Sequence, residues 1–127
     1  MMATEKQREL EGVRVLIVED DAMLAMALEM ALSDLGCEIV ALASNLADAV
    51  PLAAEVAVDG AILDVNLAGE MIFPVADILT ARGIPFIFAT GYGSAGLRDC
   101  DRDRPVLQKP YQMGTLAKVA RQWRQSS

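Results

Sequence analysis

Four separate stretches of this 127-residue chain place reactive side chains directly after short apolar runs. The run at 13–18 is followed by Glu19-Asp20-Asp21. Gly60-Ala61-Ile62-Leu63 ends in Asp64, the run at 86–89 ends in Thr90, and the run at 106–108 ends in Lys109-Pro110. An isolated carboxylate inside an apolar strand is costly, but at the mouth of a sheet it can serve as a nucleophile or a metal ligand. Clustered carboxylates raise one another's pKa values unless a cation intervenes. Oxygen ligands without His or Cys point to a hard cation, and Mg²⁺ usually takes a few carboxylates together with waters and phosphate. Lys109 can act as a point charge on a phosphoryl oxygen, and Thr90 can donate a hydroxyl hydrogen bond to another. Asp64 is then the carboxylate left to attack phosphorus and form an aspartyl phosphate. Taken singly, Asp21 or Thr90 reads equally well as a cap or turn residue. The four strand ends together are harder to assign to caps.

The elements that must position these residues follow from hydrophobic period. Strands are predicted at 13–18, 38–43, 58–63, 86–89 and 106–108, and helices at 22–35, 45–55, 71–81 and 113–125. Gly36 and Gly83 act as stops, and Asn45 as an N-cap. Strand and helix alternate five times, a (βα)5 pattern that predicts a doubly wound parallel sheet with helices on both faces. In such sheets ligands sit beyond the carboxyl ends of the strands. The fourth helix must lie between Thr90 and Pro105. Gly91, Gly93 and Gly96 each cost up to about 1 kcal/mol inside a helix, and Ala95, Leu97 and Cys100 make only a thin apolar stripe. A short, mobile fourth helix is expected there.

Composition narrows the partners. The net charge is −7, and the one arginine cluster, Arg98, Arg102 and Arg104, alternates with Asp99, Asp101 and Asp103. A nucleic acid would be repelled. The chain has no histidine, and Cys37 and Cys100 lack metal-ligand spacing, which argues against zinc. Residues 1–12 read as a polar leader, neither signal peptide nor membrane span, ahead of one domain at 13–125. A cytoplasmic protein without membrane association is expected.

The motifs Val15-Leu16-Ile17-Val18-Glu19-Asp20-Asp21, Ile62-Leu63-Asp64, Ala89-Thr90-Gly91 and Gln108-Lys109-Pro110, in that order and spacing, resemble those of the receiver domain of bacterial two-component response regulators. The resemblance spans residues 13–124. It implies a flavodoxin-like strand order 2-1-3-4-5 and an Mg²⁺ pocket in which Asp20 is a direct ligand and Glu19 acts largely through water. It further implies that Asp64 is both ligand and phosphoacceptor, and that the Asn66 carbonyl completes the protein ligands. Asp21 lies one position beyond the acid pair and reads as a helix N-terminal residue favoured by the helix dipole. The Lys109–Pro110 peptide resembles the family's cis bond. The implied donor is a sensor histidine kinase or histidine phosphotransfer protein. The chain would be a phosphoacceptor and not an enzyme with turnover, beyond slow self-catalysed phosphotransfer and autodephosphorylation.

Two features depart from the common pattern. Receivers usually carry an aromatic switch residue three positions before the lysine, where this chain has Val106. Pro85-Phe86-Ile87-Phe88-Ala89-Thr90-Gly91-Tyr92-Gly93, with Asp64-Val65-Asn66-Leu67-Ala68-Gly69-Glu70, is similar to the "FAT GUY" subclass, often paired with kinases of the HWE type. Tyr92 is then expected over the pocket or on the switch face. On the first helix Met23, Met26 and Met30 form a stripe away from Leu24, Leu28, Ala31 and Leu35. It reads as an adaptable surface for the kinase's helical hairpin. Four residues follow Trp123, so output is expected through protein interaction or phosphate relay. Two other readings compete. One is a pseudo-receiver that binds without phosphorylation. The other is a haloacid dehalogenase-type phosphatase, disfavoured because its nucleophile lies on the first strand and its second acid would fall at Asn66.

Overall fold

A computed structural model describes residues 10–91, 96–109 and 113–126. Its elements are β1 (Arg14–Val18), α1 (Ala22–Asp34), β2 (Glu38–Ala43), α2 (Leu46–Glu55), β3 (Gly60–Asp64), β4 (Asn66–Leu67), β5 (Glu70–Met71), α3 (Phe73–Ala81), β6 (Phe86–Thr90), β7 (Val106–Gln108) and α4 (Met113–Ser126). A 3-10 turn at Asp99–Asp101 lies between β6 and β7. The main sheet is parallel in the order β2-β1-β3-β6-β7, which is the expected 2-1-3-4-5 once the short antiparallel hairpin β4-β5 is set aside. The doubly wound parallel sheet expected from the alternation is therefore present, flanked by four helices among the described residues in place of the five of a full (βα)5 pattern.

Side-chain alternation sends the two faces of the sheet into separate cores. Leu16, Val18, Ala61, Leu63, Phe86 and Phe88 pack with Ala49 and Ala53 of α2 and with Val75, Ala76 and Leu79 of α3. Val15, Ile17, Ile62, Ile87, Ala89 and Leu107 pack with Leu28 and Leu32 of α1 and with Leu116, Ala120 and Trp123 of α4. Both faces being covered explains why β3 and β6 are buried at every position and read as continuous apolar runs. Leu10, from the stretch read as leader, is fully buried in the second core. None of the described helices is long and apolar enough to cross a membrane.

Two boundaries shift by two residues from the sequence reading, each for a local reason. The third strand begins at Gly60 because the Asp59 carboxylate accepts from the Arg14 N–H at 2.9 Å and closes the turn. The helix expected from residue 71 begins at Phe73, with Pro74 in its first turn where a missing N–H costs nothing. Met71 belongs instead to the β4-β5 hairpin, which period alone did not disclose.

Residues 96–105 contain no α-helix; they carry the 3-10 turn and a set of arginine contacts. Arg98 donates to Asp101 at 2.7 Å and through both terminal nitrogens to Asp77 at 2.9 and 3.2 Å, with its guanidinium 4.5 Å from the Phe73 ring centre. Arg104 donates to Thr80 at 2.8 Å and stacks 4.4 Å from the Phe86 ring centre. Asp101, buried, lies between the two arginines. Where the sequence lacked an apolar stripe for a helix, planar guanidinium stacking and ion pairs hold the segment to α3 instead.

The tightest packing constraint is at Gly60. A Cβ added there would sit inside the Trp123 indole, so α4 can seat its tryptophan on β3 only because that residue has no side chain. Gly60→Ala should lower unfolding free energy by about 1–3 kcal/mol, measured by denaturant titration. Gly69→Ala, with open space around it, should show only the cost of its positive φ.

Candidate phosphoryl and metal site

The parallel register delivers the reactive residues to one edge. Asp64 pairs with Ala89, and Thr90 with Gln108. Main-chain bonds fix the strand ends: Glu19 N–H donates to the Ala43 carbonyl at 3.0 Å, Val65 N–H to Ala89 at 3.1 Å, and Lys109 N–H to Thr90 at 3.0 Å. Asp20, Asp64, Asn66, Thr90 and Lys109 line a cleft of about 360 Å³ at this edge. The structure brings these predicted site residues together with Glu19, which pairs with Lys109, and Asp21 also lines the cleft.

Oxygen atoms of Glu19, Asp20 and Asp64 all lie within 4.8 Å of one another. Glu19 and Asp64 are buried, Asp20 exposed. Lys109 Nζ lies 3.2 Å from Glu19 and 3.3 Å from Asp64. Burial first, then the adjoining Glu19 and Asp20, push the Asp64 carboxyl up to about 7, against the pull of Lys109. Burial works against ionisation of Asp20 as well, but hydrogen bonds with Asp64, Glu19 and the Ala68 N–H outweigh it and hold that carboxyl below its usual range. Burial also opposes the charge on Lys109, yet Asp64 and Glu19 raise its pKa overall.

Three carboxylates against one ammonium leave a surplus of two negative charges. That surplus and the all-oxygen donor set fit a hard divalent cation. Without one, a proton on Asp64 relieves part of the repulsion.

The neighbouring acid has a different job. Asp21 accepts from the N–H groups of Met23 at 2.9 Å and Leu24 at 3.2 Å, the geometry of a helix N-cap, while its own N–H donates to Glu19 at 3.2 Å. Asn66 is exposed on β4 with its side-chain oxygen accepting from the Gly69 N–H at 2.7 Å. Val106 on β7 pairs with Phe88, which meets Phe73 and Phe86 edge-on at 6.3 and 5.1 Å between ring centres. Met23, Met26 and Met30 are 82, 60 and 63% exposed, on the side of α1 opposite its buried Ala25, Leu28 and Leu32. Tyr92 and Pro110, with the Lys109–Pro110 peptide, lie outside the described residues.

Sequence reasoning missed two participants. Met71 of β5 reaches the cleft wall. Ala68, between β4 and β5, donates its N–H to Asp20 Oδ2 at 3.0 Å. A Gly at the second position of a two-residue turn is the signal that could have shown the hairpin; Ala at the first position obscures it.

No protein-family model matches the chain. Among solved structures, SdrG from Sphingomonas melonis Fr1 is 44% identical, with 87% of this chain and 95% of that chain covered and a TM-score of 0.78. A second SdrG structure, in its BeF3-activated conformation, matches with a TM-score of 0.72. The PhyR response regulator REC domain of Erythrobacter litoralis is 31% identical over 91% of this chain and 92% of its own, with a TM-score of 0.77. Among curated proteins, the phyllosphere-induced regulator PhyR of Methylorubrum extorquens is 32% identical over 116 residues, 87% of this chain. This chain spans 43% of that relative's length.

The Asp64 environment sets a pH dependence in the metal-free protein. An acid whose folded pKa lies near 7 and whose ordinary value is 3.8 costs nothing below pH 4. Its contribution to stability is lost progressively as pH rises through 7. In EDTA, Asp64→Asn should therefore be more stable than wild type at pH 8 by roughly 2–4 kcal/mol, and the gain should shrink toward zero near pH 4. Thermal melts across pH check this; a gain independent of pH would contradict it.

Proposed function

Because the chain belongs to the receiver-domain family of response regulators, we propose that it is the phosphoacceptor of a two-component phosphorelay, with Asp64 as the residue modified. The observation that carries this reading is the placement of a buried Asp64 at the end of β3, with Glu19 and Asp20 oxygens within 4.8 Å and Lys109 at 3.3 Å. Asp64 Oδ attacks the phosphorus of a phosphohistidine. The oxygen–phosphorus bond forms, the nitrogen–phosphorus bond breaks, and the imidazole leaves with a proton from solvent. Lys109 and the Thr90 hydroxyl stabilise the oxygens of the transferring group. Glu19, Asp20, Asp64 and the Asn66 carbonyl would hold Mg²⁺. Bound there, the cation supplies charge neutralisation for the phosphoryl oxygens and lets Asp64 stay ionised near neutral pH. The BeF3-activated conformation of SdrG supports the same reading, since beryllofluoride on a carboxylate mimics an acyl phosphate. The chain's own chemistry is then self-catalysed acceptance and slow hydrolysis, not turnover.

The donor is a sensor histidine kinase or a phosphotransfer protein, of the HWE type if the Phe88-Ala89-Thr90-Gly91 subclass resemblance holds. We place its docking surface on α1, where three exposed methionines offer a flexible, polarisable face. Output passes by protein contact or by relay of the phosphoryl group. Without a ring at Val106, the strap at 96–105, held to α3 through Arg98 and Arg104, is the segment that would carry the change.

Incubation with Mg²⁺ and acetyl phosphate should add one phosphoryl mass by intact-mass spectrometry. The signal should be absent with EDTA and absent in Asp64→Asn. No adduct from either acetyl phosphate or a phosphorylated kinase would favour the pseudo-receiver. Met26→Glu should label normally with acetyl phosphate, yet accept at least about tenfold more slowly from any kinase that phosphorylates the wild type. Equal rates from that kinase would remove α1 as the docking surface.

A further inference from the structure

The β4-β5 hairpin has no assigned role, and it contains the one non-glycine residue at positive φ among those described. Ala68 has φ +51° and Gly69 φ +93°. Such a pair closes a two-residue hairpin of the mirror-image type, with Asn66 opposite Met71 and Leu67 opposite Glu70. Glycine enters that conformation freely, whereas alanine is strained by its Cβ. Strain of this kind persists when surrounding contacts over-determine it, and it gathers at functional sites.

Two contacts hold the turn. Gly69 N–H donates to Asn66 Oδ1 at 2.7 Å, and Ala68 N–H donates to Asp20 Oδ2 at 3.0 Å. The second is long-range: it joins the loop after Asp64 to the acid that follows β1. The three consecutive acids thus have separate tethers. Glu19 engages Lys109, Asp21 caps α1, and Asp20 is held by Ala68. Within the Glu19, Asp20 and Asp64 cluster, Asp20 is the exposed member, the one most in need of a fixed orientation.

We infer that Ala68 is a positioning residue of the metal pocket: its main-chain N–H, presented by the left-handed turn, orients the Asp20 carboxylate toward a cation shared with Asp64. One carboxylate oxygen is taken by the N–H and the other is left for the cation. An N–H held at one oxygen removes the rotational freedom that an exposed aspartate would otherwise lose on binding. The same turn sets the path of the main chain at Asn66, whose carbonyl is a proposed ligand. Hairpin and pocket therefore form as one unit. The inference rests on the magnesium reading above, and the experiment separates the two.

Mg²⁺ is titrated calorimetrically into the full chain as wild type, Ala68→Gly and Ala68→Pro. Glycine keeps the N–H and relieves the strain. Proline removes the N–H and cannot reach a positive φ. Glycine should bind Mg²⁺ within twofold of wild type and melt no lower. Proline should bind about tenfold more weakly, the low end for loss of an outer hydrogen bond to a metal ligand. Should the proline variant not fold, hydrogen exchange of the Ala68 amide in wild type decides: protection both with and without Mg²⁺ is required. A folded proline variant with wild-type affinity, or an Ala68 amide that exchanges unprotected with Mg²⁺ bound, overturns the inference alone. A wild type that binds no Mg²⁺ overturns the magnesium reading and this inference with it.

Discussion

Three carboxylates crowded at the mouth of an apolar sheet, with one lysine among them, set the terms for the rest of the molecule. Taking those charges out of water is expensive, and the Lys109 ammonium offsets only part of it. Burial first, and then the adjoining carboxylates, push the Asp64 carboxyl up to about 7, and the surplus suits a divalent cation. Such a cluster survives only on a rigid support. The support is a five-stranded parallel sheet covered on both faces, whose strand ends are tied to one another by main-chain hydrogen bonds.

Rigidity at that edge contrasts with what lies beside it. Residues 96–105 are held by buried Leu97 and by two arginines that each combine an aromatic ring with acidic or hydroxyl partners on α3 and the 3-10 turn. Contacts of this kind are directional and largely electrostatic, and those at Asp77 are solvent-exposed and individually weak. Val106 presents no ring to report movement of Thr90, and the aromatic mass lies one strand over and beneath the strap, in Phe86, Phe88 and Phe73.

Much of the architecture was legible because both signals that encode it are strong. Short apolar runs gave the buried strands, and β2 and β7 were located at their observed bounds. Glu19, Asp20, Asp64, Thr90 and Lys109 were legible as a set because parallel strands must deliver their ends to one edge. The hairpin was not, since two-residue strands have no period and Ala68 is a poor advertisement for a positive φ. Nor was the strap. Alternating Arg and Asp between residues 98 and 104 read as a stretch of no net sign within a short fourth helix, although residues 96–105 hold no α-helix and Asp101 is buried between two of those arginines. Met71 was lost for a related reason: an apolar residue next to a helical pattern was absorbed into the helix.

The central claim is that the acid pocket takes a cation and presents Asp64 to a phosphoryl-like group. Backbone NMR of the labelled chain, titrated with beryllofluoride and Mg²⁺ together, tests it most directly. The account predicts saturable shifts centred on Asp64, Ala68, Thr90, Gly91 and Lys109, absent when Mg²⁺ is withheld and absent in Asp64→Asn. A spectrum unmoved by both reagents, or one that moves equally in Asp64→Asn, would contradict it.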